Sequence, residues 1–305
     1  MSKKIIADLQ VTQEELDILE KYKKRSFMAD VWRRLKKNKG AVLGLIIIVL
    51  VVLLAIFADV IYDYDEVVIM PDYSNTLLTF SSDHILGTDE LGRDILARII
   101  HGTRYSLAIG LFSTMISLTI GGIIGAYSGY IGGKFDAVLM RIMDIFLAIP
   151  NMLLALAIVA ALGPSLLNLI IAIAVSDIPR FARILRSEVL SIKDIEYVEA
   201  AKACGAGKST IVFRDILPNC VASIIVQASI VMAYAIIVAA GLSYIGLGVA
   251  APAPEWGAML SGGRTFMRDY PHLVMYPGIA IVITVLAFNM LGDGLRDALD
   301  PRLKK

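Results

Sequence analysis

Few residues in this chain have the types and spacing that chemistry requires. Gly205-Ala-Gly-Lys-Ser-Thr210 looks at first like a phosphate-cradling loop. Such a loop needs a glycine five places before the Gly-Lys pair and a strand leading into it. Lys202 occupies that place and no strand pattern precedes it, so the segment is set aside as a nucleotide site. His84 with Asp89 invites a metal reading, but one histidine among scattered carboxylates falls short of a ligand set. Cys204 and Cys220 show no CxxC or metal spacing and read as reduced, structural thiols. No Ser/His/Asp or paired-carboxylate arrangement builds an active site. The expectation is a chain with no catalytic residue, no metal and no bound cofactor. What remains are charges within apolar runs. Arg141 and Asp144 stand at i,i+3 spacing, and Asp177 lies in the next run. Ionisable groups inside a membrane are functional suspects by default. We read Arg141, Asp144 and Asp177 as a membrane-embedded ion-pair set, with Arg180 or Arg183 available to neutralise Asp177 and a gating role as the second reading.

The elements that hold these groups are helices built for lipid. The 305 residues are 57% hydrophobic and 19% charged, with a mean hydropathy of +0.71. Soluble chains carry about 45–50% apolar and about 25% charged residues. Residues 40–58 hold no charge over 19 positions, and a bilayer core takes about 20 helical residues. Five more apolar runs follow, at about 104–130, 136–162, 165–184, 219–248 and 272–292. Pro150 is expected to kink the third span. Gly121, Gly125 and Gly129 recur every fourth residue, the spacing that lets helices approach closely in lipid. The segments are 1–39, polar and amphipathic; 40–103, the first span and an acidic loop; 104–292, a five-helix core; and 293–305, a tail. Thr12 with Glu15 reads as a capping box. Trp32 among Arg33, Arg34, Lys36 and Lys37 suits a headgroup region, or else a solvated basic tail that only sets topology. The charged first 39 residues argue for a retained anchor over a cleavable leader.

Orientation follows from the basic residues. With the N-terminus inside, residues 1–39 hold 11 Lys and Arg, 131–141 hold 2, 180–214 hold 7 and 293–305 hold 4, which places 24 of 29 inside. The positive-inside rule then puts both termini, and the 185–218 segment, in the cytoplasm.

That segment has a defined local form. Ser191 or Asp194 can cap a short helix through Ala200, Ala201 and Ala203. Gly205 stands where a left-handed residue ends a helix. Ser209 can open a second short helix and Pro218 stop it. Small side chains let another surface approach the backbone, and Glu199 offers a charge for an arginine.

This pattern resembles the EAA signature of ATP-binding-cassette importer permeases, with Glu199, Ala200, Ala201, Gly205, Ile216, Leu217 and Pro218 at its places. The resemblance implies an all-α membrane protein with six transmembrane helices, type I importer architecture and both termini cytoplasmic. It implies that Tyr197, Glu199, Ala200, Ala201, Gly205, Leu217 and Pro218 couple to an ATPase. His84-Ile-Leu-Gly-Thr-Asp-Glu-Leu-Gly-Arg-Asp94 resembles the H-x-L-G-T-D-x-x-G-R-D stretch of the peptide and nickel branch of that family. Further implied are a homologous permease subunit forming a heterodimer, two ABC ATPase subunits carrying ATP and Mg2+, and an extracytoplasmic substrate-binding protein. Membrane lipid is a partner; nucleic acid is not. The place is a bacterial or archaeal cytoplasmic membrane. The expected function is import of di- or oligopeptides by alternating access. Nickel or glutathione is the alternative within the branch, and an ATP-independent secondary carrier is the alternative from another class.

Overall fold

The computed structural model describes residues 27–299, with side chains from residue 31 onward. The expected capping box at Thr12 and the basic residues beyond 299 lie outside the described residues. Helix α1 is Phe27–Leu35, α2 Lys39–Ile61, α3 Ile95–Ile131, α4 Gly133–Leu147, α5 Asn151–Leu162, α6 Leu166–Ile192 and α7 Glu196–Ala203. Helix α8 is Lys208–Tyr244, α9 Trp256–Gly263 and α10 His272–Leu299. Among the described residues no strand forms beyond one bridge between Thr88 and Asp94.

By length and composition, α2, α3, α8 and α10 can each cross a membrane, and α4 with α5, bent by 83° at the break between them, passes the same test only when the two are taken together. Helix α6 has the length, but Asp177, Arg180, Arg183 and Arg186 load its second half with charge. It is tolerated because it lies deep: Leu169, Ile173, Phe181, Leu185 and Val189 are fully buried.

Two sequence expectations about proline are corrected. Pro150 does not merely kink a continuous span. Helix α4 stops at Leu147, and α5 leaves at 83°. A proline disfavours helical backbone in the residue before it and supplies no N–H. Pro150 itself is extended, at φ −53° and ψ 130°. Pro218, conversely, stops nothing. It stands in the first turn of Leu217–Tyr244, directly after a wide turn over Ile211–Ile216 in which the Leu217 N–H reaches back five residues to Val212 O. A widened turn accommodates both the absent donor and the bulk of the ring.

The glycine stripe of α3 does what its spacing suggests. A Cβ on Gly125 would lie 2.1 Å from Ala182 O, and one on Gly121 2.4 Å from Ile178 O. Both oxygens belong to the backbone of α6, which cannot yield as a side chain would. Gly129 is similar, 2.9 Å from Arg186 O. Between helices in lipid, such backbone contact supplies the attraction that hydrophobicity does not. Gly125→Val therefore forces α3 off α6. The expected result is a loss of melting temperature in detergent together with lost transport; a Gly122→Val control, whose Cβ has 3.8 Å of clearance from Leu185, should be milder. Equal melting temperatures for both variants would contradict the close contact.

At the far end from α7, a buried knot ties the loop before α3 to the rest. Asp89 accepts from Arg93 Nε at 2.7 Å, from Arg93 N at 3.0 Å and from Leu91 N at 2.9 Å. Arg98 Nε approaches it at 3.4 Å, and an Arg98 Nη donates to Val68 O at 2.8 Å. Thr88 Oγ accepts from Leu78 N and donates to Asn75 O. Gly92 has φ +79°, and a Cβ there would meet Asp72 O at 1.8 Å. Asp94 caps α3 by accepting from Ala97 N at 2.8 Å and binds His84 Nδ1 at 2.8 Å. The His84–Asp94 stretch is thus held by its own polar residues together with Leu78, Asn75, Ala97 and Arg98, and Glu90 approaches Arg93 more loosely, at 3.6 Å. Asn75 and Ser74 both donate to Asp72, and the Asn75 bond leads in holding that carboxyl below its ordinary range.

Candidate coupling site

Helix α7 hangs between the ends of α6 and α8. The expected cap is corrected first. Ser191 still belongs to α6, where its hydroxyl donates to Glu188 O at 2.7 Å. Asp194 lies in the turn. Helix α7 starts after Ile195 with no side-chain cap. Instead, Glu196 and Glu199 bring negative charge to its first turn, which favours the unpaired N–H groups there. Ser209 is likewise not a cap: Gly207 precedes the Lys208–Thr210 turn.

The helix ends as its glycine requires. Gly205 has φ +80° and a Cβ there would meet nothing within 4 Å. Its demand is conformational. Gly205 N donates to Lys202 O at 3.0 Å, and Ala206 N to Ala201 O at 3.1 Å. These two bonds make a Schellman cap and satisfy carbonyls that the helix end would leave open.

One face of α7 is anchored and the other is bare. Val198 is fully buried in a cluster with Ala126 of α3, Phe181, Leu185 and Val189 of α6, and Ile211, Val212, Ile216 and Cys220 of α8. Leu217 and Ala201 pack half-buried against that cluster. Tyr197 accepts from Asn219 Nδ2 at 3.2 Å, and Asn219 also donates to Asp215 O at 2.7 Å. Burial pushes the Tyr197 hydroxyl above its ordinary pKa. Lys202 donates to Lys193 O at 3.1 Å and sits 5.7 Å from the Tyr130 ring centroid. Tyr127 and Ser209 share a hydroxyl bond of 2.9 Å. The exposed face presents Glu199, Ala200, Ala203, Cys204 and Gly205, flanked by Ile195, Tyr197 and Pro218. The Glu199 side chain forms no hydrogen bond or ion pair with any described residue. The site is thus a charged, small-residue surface on a helix bolted to three spans. Val198, Tyr127 and Tyr130 were not singled out from the sequence. Val198 had a signal: it is the lone β-branched residue in a helix whose other members, Tyr197 aside, are small or charged.

The expected Arg141–Asp144–Asp177 set is not brought together. Asp144 pairs across helices with Arg183, at 2.7 Å, both side chains about half exposed. Arg141 lies exposed on α4. Asp177 is buried and accepts from Asn151 Nδ2 at 3.0 Å, beside Ser176, whose hydroxyl also meets Asn151. The strongest pair in this region is one the sequence reading did not anticipate: Arg186 bridges Asp136 bidentately, at 2.6 and 2.7 Å, with Ser128 donating to the same carboxylate. A guanidinium from a neighbouring helix meets a carboxylate squarely, whereas i,i+3 side chains on one helix meet obliquely, and the bidentate geometry wins. His84 and Asp89 are not joined either, since Asp94 and the two arginines take them. The thiols of Cys204 and Cys220 are both free, the first exposed and the second buried.

Residues 121–305 match the family model of binding-protein-dependent transport system inner membrane components, and residues 26–78 match the N-terminal transmembrane domain of oligopeptide transport permease C. The chain belongs to the first of these families, the permeases of ATP-binding-cassette importers. Among its relatives, the dipeptide transport system permease protein DppC of Alkalihalophilus pseudofirmus is 48% identical over 275 residues, 90% of each chain. The glutathione transport system permease protein GsiD of Pectobacterium atrosepticum is 46% identical over 90% of this chain and 91% of its own. The di/tripeptide permease DppC of Pseudomonas aeruginosa is 44% identical over 91% and 93%. An inward-facing structure of the MetNI methionine ABC transporter shares the fold, with a TM-score of 0.57 at 20% identity, covering 68% of this chain and 98% of that one. The protein is a multi-pass membrane permease of type I importer architecture.

Proposed function

We propose that this chain is one of two homologous, non-identical permease subunits of a bacterial importer that carries di- or oligopeptides across the cytoplasmic membrane. The observation that carries the reading is the exposed face of α7, with a Glu199 side chain that pairs with no described residue and a left-handed Gly205 on a helix locked to α3, α6 and α8. Of two ATPase subunits, each holding ATP and Mg2+, one seats on Tyr197, Glu199, Ala200, Ala201, Gly205, Leu217 and Pro218 of this chain and the other on the homologous permease. Closure of the ATPases pulls α7, and the shared Val198 cluster carries that displacement into three spans at once. The pair of permeases then alternates between inward- and outward-open forms. An extracytoplasmic binding protein delivers the solute. The chain contributes the path and the linkage; it makes and breaks no covalent bond.

Peptides are favoured as solute because relatives named for dipeptide, di/tripeptide and glutathione transport resemble the chain over nine-tenths of its length. The chain is read with both ends inside, by its basic residues. The test is reconstitution of the complete complex in liposomes with labelled dipeptide. Uptake that requires ATP and the binding protein is expected. Uptake driven by an ion gradient alone overturns the importer in favour of a carrier, while ATP-driven uptake of nickel but no peptide overturns only the solute.

A further inference from the structure

Helices α4 and α6 carry exposed charge at membrane depth. With the orientation read from the basic residues, α4 enters from its cytoplasmic end at Gly133. Arg141 and Asp144 then stand about 12 and 17 Å along it. Arg183 of α6 lies about 14 Å from the inner end of that helix at Ile192. A hydrocarbon core is about 30 Å thick, so all three belong inside it. Yet Arg141 is exposed. Asp144 and Arg183 keep 47% and 59% of their side-chain surface open although they pair at 2.7 Å. Ionisable side chains at such depth face the bundle interior or a water-filled cavity.

The backbone beside them makes the same demand. Ala148, Ile149 and Pro150, at the break between α4 and α5, are exposed. The break falls about midway between Gly133 and the outer turn at Gly163. Helix α5 begins with no side-chain cap, so its first N–H groups have no partner from their own helix. Irregular backbone at membrane depth is tolerated only where protein buries it or water reaches it. Open charge and open backbone, two separate features, thus ask for water on one face.

Around α4 that face has an edge. Arg141 and Asp144 lie about 60° apart round the helix, and Phe135, Ile142 and Phe146 about 100–180° from them. Those three are exposed as well, and they make an apolar face suited to lipid. The charged face is cationic on balance. Arg141 bonds to no described residue. Arg183 gives Asp144 one N–H group of the five a guanidinium has. Arg180, one turn further out on α6, is half-buried, with its guanidinium 6.0 Å from the Tyr234 ring centroid on α8. Against these three stands one exposed carboxylate, because Asp177 is buried against Asn151. Such a surface suits an anion, and a carboxylate matches a guanidinium bidentately.

We infer that this face of α4 and α6 lines the water-filled path of the solute, and that Arg141 meets a carboxylate of the solute as it passes. The identity of the ligand rests on the importer reading; the presence of water does not.

Inside-out vesicles holding the complete transporter without nucleotide are treated with a charged methanethiosulfonate reagent, in the variants Arg141→Cys, Asp144→Cys and Ile142→Cys. Modification is read at each position by mass spectrometry of the digested chain, which separates it from Cys204. Such reagents attack a thiolate, and a thiolate needs water. Arg141→Cys and Asp144→Cys should react at least about tenfold faster than Ile142→Cys, one residue away. Equal rates, or protection of all three by lipid or a neighbouring subunit, would overturn the path. The carboxylate contact is read separately, by uptake of labelled dipeptide at saturating binding protein. Arg141→Gln should lower uptake about tenfold, the ratio for one hydrogen bond to a charged group. Arg141→Lys should lie between, with ATP hydrolysis still stimulated by the binding protein in both. Parental uptake in Arg141→Gln would overturn the contact. So would joint loss of uptake and ATP hydrolysis, which would assign Arg141 to coupling. Absence of ATP-driven uptake in the parent would overturn the importer reading and the solute carboxylate with it, while the labelling rates still decide the path.

Discussion

Glu199→Lys is expected to abolish peptide uptake while the chain still inserts, assembles at normal abundance and melts at the wild-type temperature. The two halves of this result come from one observation. The Glu199 side chain is exposed and bonds to no described residue, so its replacement takes from the fold only a share of the first-turn dipole stabilisation, which is small against the stability of the whole complex. In the proposed complex it meets an arginine in a docking groove. Truncating one partner of a buried, hydrogen-bonded charge pair costs about 2–5 kcal/mol, or roughly 30- to 5,000-fold in the docking equilibrium. Reversing the charge places like charges together and lies at the upper end. Glu199→Gln keeps the shape and one acceptor, and should retain part of the uptake. Gly205→Leu acts differently. Its backbone at φ +80° is costly for any residue with a Cβ, by about 1 kcal/mol, and the side chain would project into the space the ATPase occupies. ATP hydrolysis in reconstituted vesicles, measured beside labelled peptide uptake, separates docking from stability. Normal ATP-driven uptake in both Glu199→Lys and Gly205→Leu would remove α7 as the link.

The sequence disclosed this helix because its features are local. A left-handed glycine and a run of alanines depend on residues within one or two turns, although the equally local caps expected at Ser191 or Asp194 and at Ser209 failed. The glycine stripe of α3 was legible for a similar reason: helical spacing alone puts Gly121, Gly125 and Gly129 on one face. What failed were statements about which side chain a charge would meet. Arg141 is three residues from Asp144, yet Arg183 on α6 takes the carboxylate. Asp177 was expected to pair with an arginine and is held by Asn151 instead. Those outcomes depend on how α4, α5 and α6 cross, and the 83° break at Pro150 sets that crossing. Pro218 failed through the same limit. Proline ends a regular ladder, but nothing local announces that the preceding turn widens to admit it. The pattern of the acidic outer loop was matched without any of its residues receiving a partner. Its bonds join Asp89 to Arg98 nine residues on, and Arg98 to Val68 thirty residues back, beyond the reach of periodicity.

That loop carries the other large expected effect. Asp89→Ala should lower stability by about 3–5 kcal/mol, the cost of removing one partner from a buried charge cluster. Asp89 is 7% exposed, Arg93 7% and Arg98 5%. Without the carboxylate, two guanidiniums face each other with little water, and two backbone donors, Leu91 N and Arg93 N, lose their acceptor. Glu90, 3.6 Å from Arg93, is too exposed and too far to replace it. Asp89→Asn keeps an acceptor for the backbone but not the charge, and should lie between. The cause can be separated from lost packing by a second substitution. If stranded charge dominates, Arg98→Met in the Asp89→Ala background restores part of the melting temperature, because a buried cation with no counter-charge is replaced by an apolar side chain of similar length. If Arg98 instead earns its place by donating to Val68 O, the double variant is less stable than Asp89→Ala alone. Thermal melts of the detergent-solubilised complex decide between these signs. Binding-protein stimulation of the ATPase should fall with the melting temperature, since Arg98 also reaches Pro252 O in the neighbouring loop at 3.5 Å and so holds two outer segments in one surface.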